Sequence, residues 1–326
     1  MSKVGPPPPF DAELAAALLT INKTTPPDGL RPETITATRQ RAEISMKPPA
    51  NEELARGGAF TVEERTVPGP VGAPDISLLI CRPTAATTPT PAIYHIHGGG
   101  MVVGDNRTGV LWMIDLAQEL HAAVVSVEYR LAPETPHPGP VEDCYAGLVW
   151  SAAHAQELGI DPQRIVLVGG SAGGGLAAAV ALMARDRGGP TACGQMLICP
   201  MLDDRNDTPS AVQMAGRGVW DRTSNQTGWN ALLGDARGTD AVSPYAAPAR
   251  ATDLSGLPPA FIDVGSAETF RDEDVSYASR IWQAGGVAEL HVWPGGFHGF
   301  AGMAPHAAVS KAAAAAPLQW LRRLLQ

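Results

Sequence analysis

From Ile165 to Ala184 the chain runs for twenty residues without a charge, flanked by Arg164 and Arg185, with five glycines between positions 169 and 175. A stretch of that length is long enough to cross a bilayer as a helix. Glycine disfavours a continuous helix, however, and Gly169, Gly170, Gly173, Gly174 and Gly175 crowd together here. A buried strand (Ile165–Val168), a tight turn and a buried helix (Leu176–Arg185) account for the same residues better, so no membrane span is expected.

The turn reads Gly169-Gly170-Ser171-Ala172-Gly173. A strand, G-x-S-x-G and a helix in that order make a turn so sharp that its neighbours must be nearly free of side chains. Such a turn lifts the Ser171 hydroxyl above the sheet and turns the Ala172 N–H, at a helix N-terminus, toward the same space. A phosphate loop fits less well. The segment contains neither G-x-G-x-x-G nor Gly-Lys-Ser/Thr, and no cofactor is expected.

The surrounding pattern supplies the fold class. Short aliphatic runs appear at Ile76–Cys81, Ala92–Ile96, Ala123–Val127, Ile165–Val168, Gln195–Cys199, Ala260–Val264 and Ala288–Val292. Helical stretches at Val110–Leu120, Val141–Leu158, Leu176–Arg185 and Val275–Ala284 separate several of them. Runs that are apolar throughout suit parallel strands covered on both faces, and strands alternating with helices predict an α/β fold. Two regions break the alternation. Residues 1–58 hold a helical face (Phe10, Leu14, Ala17, Leu18, Ile21) and many prolines, and 203–238 hold Trp220, Trp229 and a helical Asn225–Leu233. They are read as two parts of one helical appendage, leaving 59–202 and 239–326 as the core. Leu318, Leu321, Leu324 and Leu325 predict a last helix that Pro317 starts or kinks.

Composition narrows the function classes. Hydrophobic residues make up 44% and charged residues 17%, which is globular rather than disordered. The net charge of −9 argues against nucleic acid as a partner. Cys81, Cys144, Cys193 and Cys199 show no metal-ligand spacing and are read as reduced core thiols. Asp11 and Glu13 interrupt the N-terminal apolar stretch, so a cytoplasmic protein is expected.

A serine of this kind needs a base, an acid and donors for an oxyanion. His97-Gly98-Gly99-Gly100 follows the strand Ala92–Ile96. Residues without a Cβ let backbone N–H groups reach a developing oxyanion, so Gly98 and Gly99 are assigned to it with Ala172. His97 lies before the serine and is assigned to pinning this loop. The base should follow both serine and acid in the chain. His298, in Gly295-Gly296-Phe297-His298-Gly299-Phe300 after the last strand, does so. His291 and His306 are read as core or surface residues. For the acid, Glu268 after the strand Ala260–Val264 is the first choice and Asp272 the second, with Asp263 structural. No metal site is expected.

Taken together, His97–Gly100, Tyr129-Arg130-Leu131-Ala132-Pro133-Glu134, Gly169–Gly173, Pro200-Met201-Leu202-Asp203-Asp204-Arg205, Gly265–Glu268 and His298-Gly299-Phe300 resemble the hormone-sensitive lipase family of α/β-hydrolases, the microbial family IV esterases. The resemblance runs from about residue 90 to the C-terminus. It implies an eight-stranded, mostly parallel sheet flanked by helices, with a cap built from an N-terminal segment and an insertion. It also implies a serine carboxylesterase that hydrolyses short- to medium-chain carboxylic esters without a cofactor, and a homodimer paired through a sheet-edge strand. One position departs: Gly170 stands where the family often has Asp or Thr. An amidase, lactonase or carbamate hydrolase would use the same three residues. Ligand-binding receptors of this fold lack the histidine that His298 supplies.

Overall fold

The computed structural model describes residues 4–23, 29–45 and 47–326. Residues 1–3, 24–28 and 46, assigned above to the N-terminal appendage, lie outside the described residues. Eight strands form one sheet: β1 (Phe60–Val67), β2 (Ile76–Pro83), β3 (Thr90–Ile96), β4 (Ala123–Glu128), β5 (Ile160–Gly170), β6 (Gly194–Ile198), β7 (Ala260–Gly265) and β8 (Ala288–Trp293). Their order is β1-β2-β4-β3-β5-β6-β7-β8. Strand β2 runs antiparallel to β1 and β4, and every other pairing is parallel.

Alternate residues of the central strands feed two different cores. Tyr94, Val125, Leu167 and Ile262 point to one face, while their neighbours Ile93, Val124, Val166 and Phe261 point to the other. The first face is covered by helices Gly139–Ala153, Ala172–Arg187 and Arg271–Gln283, the second by Val110–Leu120 and Ala308–Leu324. Coverage on both sides explains why β3 is buried along its whole length.

The sequence pattern did not reveal β1. Its residues Glu63, Glu64 and Arg65 look like a loop, but they belong to an edge strand with Phe60 and Val67 buried at its two ends. Charges on an edge discourage pairing with another sheet. The last helix runs from Ala308 through Pro317 to Leu324, so Pro317 does not start it. Ala312 to Ala316, strong helix formers, carry the helix into the proline. The predicted Val141–Leu158 is two helices, Gly139–Ala153 and Ala155–Leu158.

Helices Ala12–Ile21 and Ile35–Ser45 lie N-terminal to the sheet, and Pro209–Gln213 and Arg222–Leu233 lie between β6 and β7. The two regions touch. The Leu30 N–H donates to Ser224 Oγ (2.9 Å), and Thr227 Oγ1 donates to the Leu30 carbonyl (2.8 Å). Leu14 and Leu18 pack with Phe297, in the loop beyond β8, and with Phe300, which opens the short helix Phe300–Met303. No helix among the described residues is long and apolar enough to cross a membrane; the charge-free stretch is β5, a turn and the buried helix Ala172–Arg187.

Candidate active site

Strand β5 ends at Gly170 and the next helix begins at Ala172, so Ser171 alone makes the turn. Its φ of 57° and ψ of −123° are a backbone conformation that L-residues avoid. The packing explains the glycines. A Cβ on Gly169 would meet the Gly173 carbonyl oxygen at 2.1 Å, and one on Gly173 would meet the Ile96 carbonyl oxygen at 2.1 Å. Gly170 is different: a Cβ there would come no closer than 3.8 Å to Ile198 O. The turn forms without a side chain at that position. Strand β6 and the residues after it hold the strained residue, since the Ser171 N–H donates to Ile198 O (2.8 Å) and the Met201 N–H donates to Ser171 O (2.9 Å).

Two loops, from the ends of β7 and β8, bring the next two residues to the serine. His298 Nε2 lies 3.0 Å from Ser171 Oγ, and its Nδ1 lies 2.8 Å from Glu268 Oε1. A carboxylate only accepts, so the Nδ1–H donates to Glu268 and Nε2 is left to accept from the serine hydroxyl. Glu268 is 2% exposed, and its other oxygen accepts the Gly265 N–H (3.2 Å). The imidazole stands edge-on to Phe270, with ring centroids 5.2 Å apart.

Asp272, the second choice for the acid, is placed elsewhere. It accepts the Ser210 N–H (2.7 Å) and pairs with Arg271 (2.8 Å). Asp263 is buried in β7 and accepts the Trp293 Nε1–H (3.0 Å). Loss of solvent pushes its carboxyl up to about 7. His291 lies in β8, half-buried and bonded to Glu289 (2.8 Å), while His306 is exposed in a turn.

The glycine loop after β3 faces the serine from the other side. A Cβ on Gly98 would come within 2.8 Å of the Gly170 carbonyl oxygen. Gly99 has φ 110°, and a Cβ there would meet Val103 O at 1.9 Å. Ala172 opens its helix, so its N–H has no carbonyl one turn back to bond. His97 fixes the loop from below. Its Nδ1–H donates to Gly98 O (2.8 Å), its carbonyl accepts the Tyr129 hydroxyl (2.9 Å), and its ring stacks on Tyr129 with centroids 4.1 Å apart. Burial pushes His97 down to about 4, so it is neutral at ordinary pH.

The remaining motifs are braces. Arg130 makes a two-point contact with Asp143 (2.7 and 2.8 Å), and Glu134 pairs with Arg39 of the N-terminal segment (2.8 Å). Glu273 accepts the N–H groups of Leu202 and Asp203 (2.8 and 3.1 Å).

The fold that carries this serine, histidine and carboxylate is matched by comparison with known proteins. A family profile described as alpha/beta hydrolase fold covers residues 93–302. The chain belongs to the α/β-hydrolase family. Within it, the group is the hormone-sensitive-lipase-like one that the motifs resemble. This hydrolase is 34% identical over 277 residues to esterase LipI of Mycobacterium tuberculosis, covering 84% of each chain. It is 37% identical over 245 residues to carboxylesterase NlhH of the same species, covering 74% of this chain and 76% of the relative. Among solved structures, a bacterial heroin esterase superposes with a TM-score of 0.89 at 40% identity, covering 97% of this chain and 98% of the other. Esterase LipW from Mycobacterium marinum gives 0.85 at 31% identity, covering 98% of both.

Three residues of this site had no signal in the sequence. Phe270 packs on the His298 ring, and Trp220 lies 6.3 Å from it between ring centroids. Trp220 also closes over Gly100, where an added Cβ would meet its ring at 2.3 Å. Cys199 is the third: its sulfur and the ligand atoms of Glu268 and His298 all lie within 4.8 Å of one another. Each comes from a different stretch of chain from the residue it touches, so local spacing cannot disclose it.

Proposed function

We propose that this α/β-hydrolase is a serine carboxylesterase acting on short- to medium-chain carboxylic esters through an acyl-enzyme on Ser171. The observation that carries the reading is the continuous hydrogen-bonded chain from Ser171 Oγ through His298 to Glu268, at 3.0 and 2.8 Å. The esterase and carboxylesterase names of its relatives support it.

In this mechanism Ser171 Oγ attacks the ester carbonyl as His298 Nε2 takes its proton. Glu268 holds the imidazole in the tautomer with its proton on Nδ1 and stabilises the cation that forms. The Gly98, Gly99 and Ala172 N–H groups bind the tetrahedral oxyanion. His298 then protonates the leaving alcohol, and water repeats the sequence on the acyl-enzyme. Residues 1–58 and 203–238 act as a cap over the core; the contacts of Leu30 with Ser224 and Thr227, and of Trp220 over Gly100, support that role. The four unpaired thiols suit a reducing, cytoplasmic setting.

Hydrolysis of p-nitrophenyl esters of increasing chain length by wild type and Ser171→Ala tests the reading, with intact-mass analysis after an organophosphate probe. Wild type should hydrolyse the esters and gain one adduct, and Ser171→Ala should do neither. A folded wild type that neither hydrolyses nor labels overturns it.

A further inference from the structure

Cys199 follows directly on β6, at φ 38°, 7% exposed. The esterase mechanism makes no use of it. Its sulfur nevertheless shares a small volume with the Glu268 carboxylate and the His298 ring, all three ligand atoms being within 4.8 Å of one another. A thiol, a carboxylate and an imidazole are together a donor set for tetrahedral zinc. Zinc–sulfur bonds of about 2.3 Å and zinc–nitrogen or zinc–oxygen bonds of about 2.0–2.2 Å put tetrahedral ligand atoms roughly 3.3–3.7 Å apart. The sulfur therefore needs to approach by about an ångström, and His298 Nδ1 and Glu268 Oε1, now 2.8 Å apart, to separate by roughly half an ångström.

We propose that Cys199, Glu268 and His298 form an inhibitory site for a thiophilic divalent cation such as zinc or cadmium. The metal is bound by Cys199 Sγ, a Glu268 oxygen and His298 Nδ1, with water or an anion in the fourth position. Charge balance favours it: one dication, one thiolate and one carboxylate sum to zero, which suits a buried position.

The proton inventory explains why binding stops catalysis. In the metal-free site the imidazole proton is on Nδ1, donated to Glu268 at 2.8 Å. Coordination needs the Nδ1 lone pair, so that proton moves to Nε2, while the thiol releases its own proton to solvent. Nε2 then carries a hydrogen and cannot take the proton of Ser171. One proton leaves per metal bound, and the general base is lost without any movement of the serine.

The experiment is a zinc titration of ester hydrolysis by wild type, Cys199→Ala and Cys199→Ser, with cobalt(II) absorption read in parallel on Ser171→Ala. Melting curves confirm that both cysteine variants fold, and the serine variant keeps the side-chain volume. Zinc should inhibit wild type, and a chelator should reverse it. Both cysteine variants, each compared with its own metal-free rate, should need roughly 10–100-fold more zinc for half-inhibition. Cobalt should give a thiolate-to-metal charge-transfer band in wild type and Ser171→Ala that disappears in Cys199→Ala. Equal zinc sensitivity of the three proteins, or no such band, overturns the site. The cobalt band does not depend on turnover, so failure of the esterase reading would show separately, as a band without hydrolysis.

Discussion

The loop after β3 and the loop after β8 each set a histidine among glycines at the same edge of the sheet, and they treat it in opposite ways. His97 is fully buried, stacked on Tyr129, bonded to a backbone carbonyl, and left with a bare Nε2 that has no partner among the described residues. His298 keeps some access to solvent and has both nitrogens engaged by reactive partners, Ser171 and Glu268. The residue types and local context are alike. What differs is what faces each ring: an aromatic face and a backbone carbonyl in one case, a hydroxyl and a carboxylate in the other. Desolvation fixes His97 as neutral framework, while in the proposed mechanism the Glu268 carboxylate stabilises the imidazolium formed when His298 takes the serine proton. Even the supports run in parallel. Glu128 accepts the Asn106 N–H (2.6 Å) in the loop following His97, and Asp263 accepts the Trp293 indole N–H (3.0 Å) at the start of the other.

Changing both histidines to alanine gives the largest contrast. His298→Ala should lower kcat on the order of 10⁶-fold, as loss of a triad base does. His97→Ala should lower it by up to roughly 10²-fold through misplacement of Gly98. Similar losses in single-turnover assays would break the comparison.

The acids come next. Glu268→Gln leaves the geometry but not the charge, and kcat should fall on the order of 10⁴-fold. Asp272→Asn, whose carboxylate serves Ser210 and Arg271, should leave kcat close to wild type. If Asp272→Asn proves the more damaging of the two, the assignment of the acid is wrong.

Gly99→Val should cost roughly 10²–10³-fold in kcat, the usual price of an oxyanion donor. Its new Cβ has nowhere to go at φ 110°. Gly170→Ala, beside the nucleophile but 3.8 Å from Ile198 O, should stay near the wild-type rate. Equal rates for the two variants would remove the role given to the Gly99 backbone.

The smallest effect is on stability rather than rate. Burial holds the carboxyls of Asp263 and Glu128 up to about 7, against roughly 4 in an unfolded chain. The folded state therefore keeps protons that the unfolded state has lost. Stability should fall as pH rises from about 4 through 7 and level off above. Asp263→Asn and Glu128→Gln should each flatten that slope in urea unfolding series at pH 5 and pH 8. A slope unchanged by either substitution would show that these loops do not rest on protonated carboxyls.

Several features were legible because they are local. Gly169 and Gly173 are required by contacts within a few residues or with the adjacent strand, so their spelling announces the turn. The buried strands β3 and β7, and β4 apart from its last residue Glu128, appear as short, mostly apolar runs because both faces of the sheet are covered. Strand β1 was hidden because an edge strand need bury only its ends, and its charged middle imitates a loop. Pro317 lies inside the last helix and not at its start because the alanines before it carry the helix into the proline.

Thus the sequence by itself determined the α/β class, the turn at Ser171, and the chain order that singles out His298 over His97. Tertiary structure alone decided that Glu268 rather than Asp272 meets the imidazole, since both sit near the start of one helix and only the path of the chain aims one at His298. It alone brought Phe270, Trp220 and Cys199 to the same ring. The physical reason is range: backbone strain and burial act between near neighbours and leave a mark in the sequence, whereas contacts across loops from different strands arise only when the sheet aligns their ends.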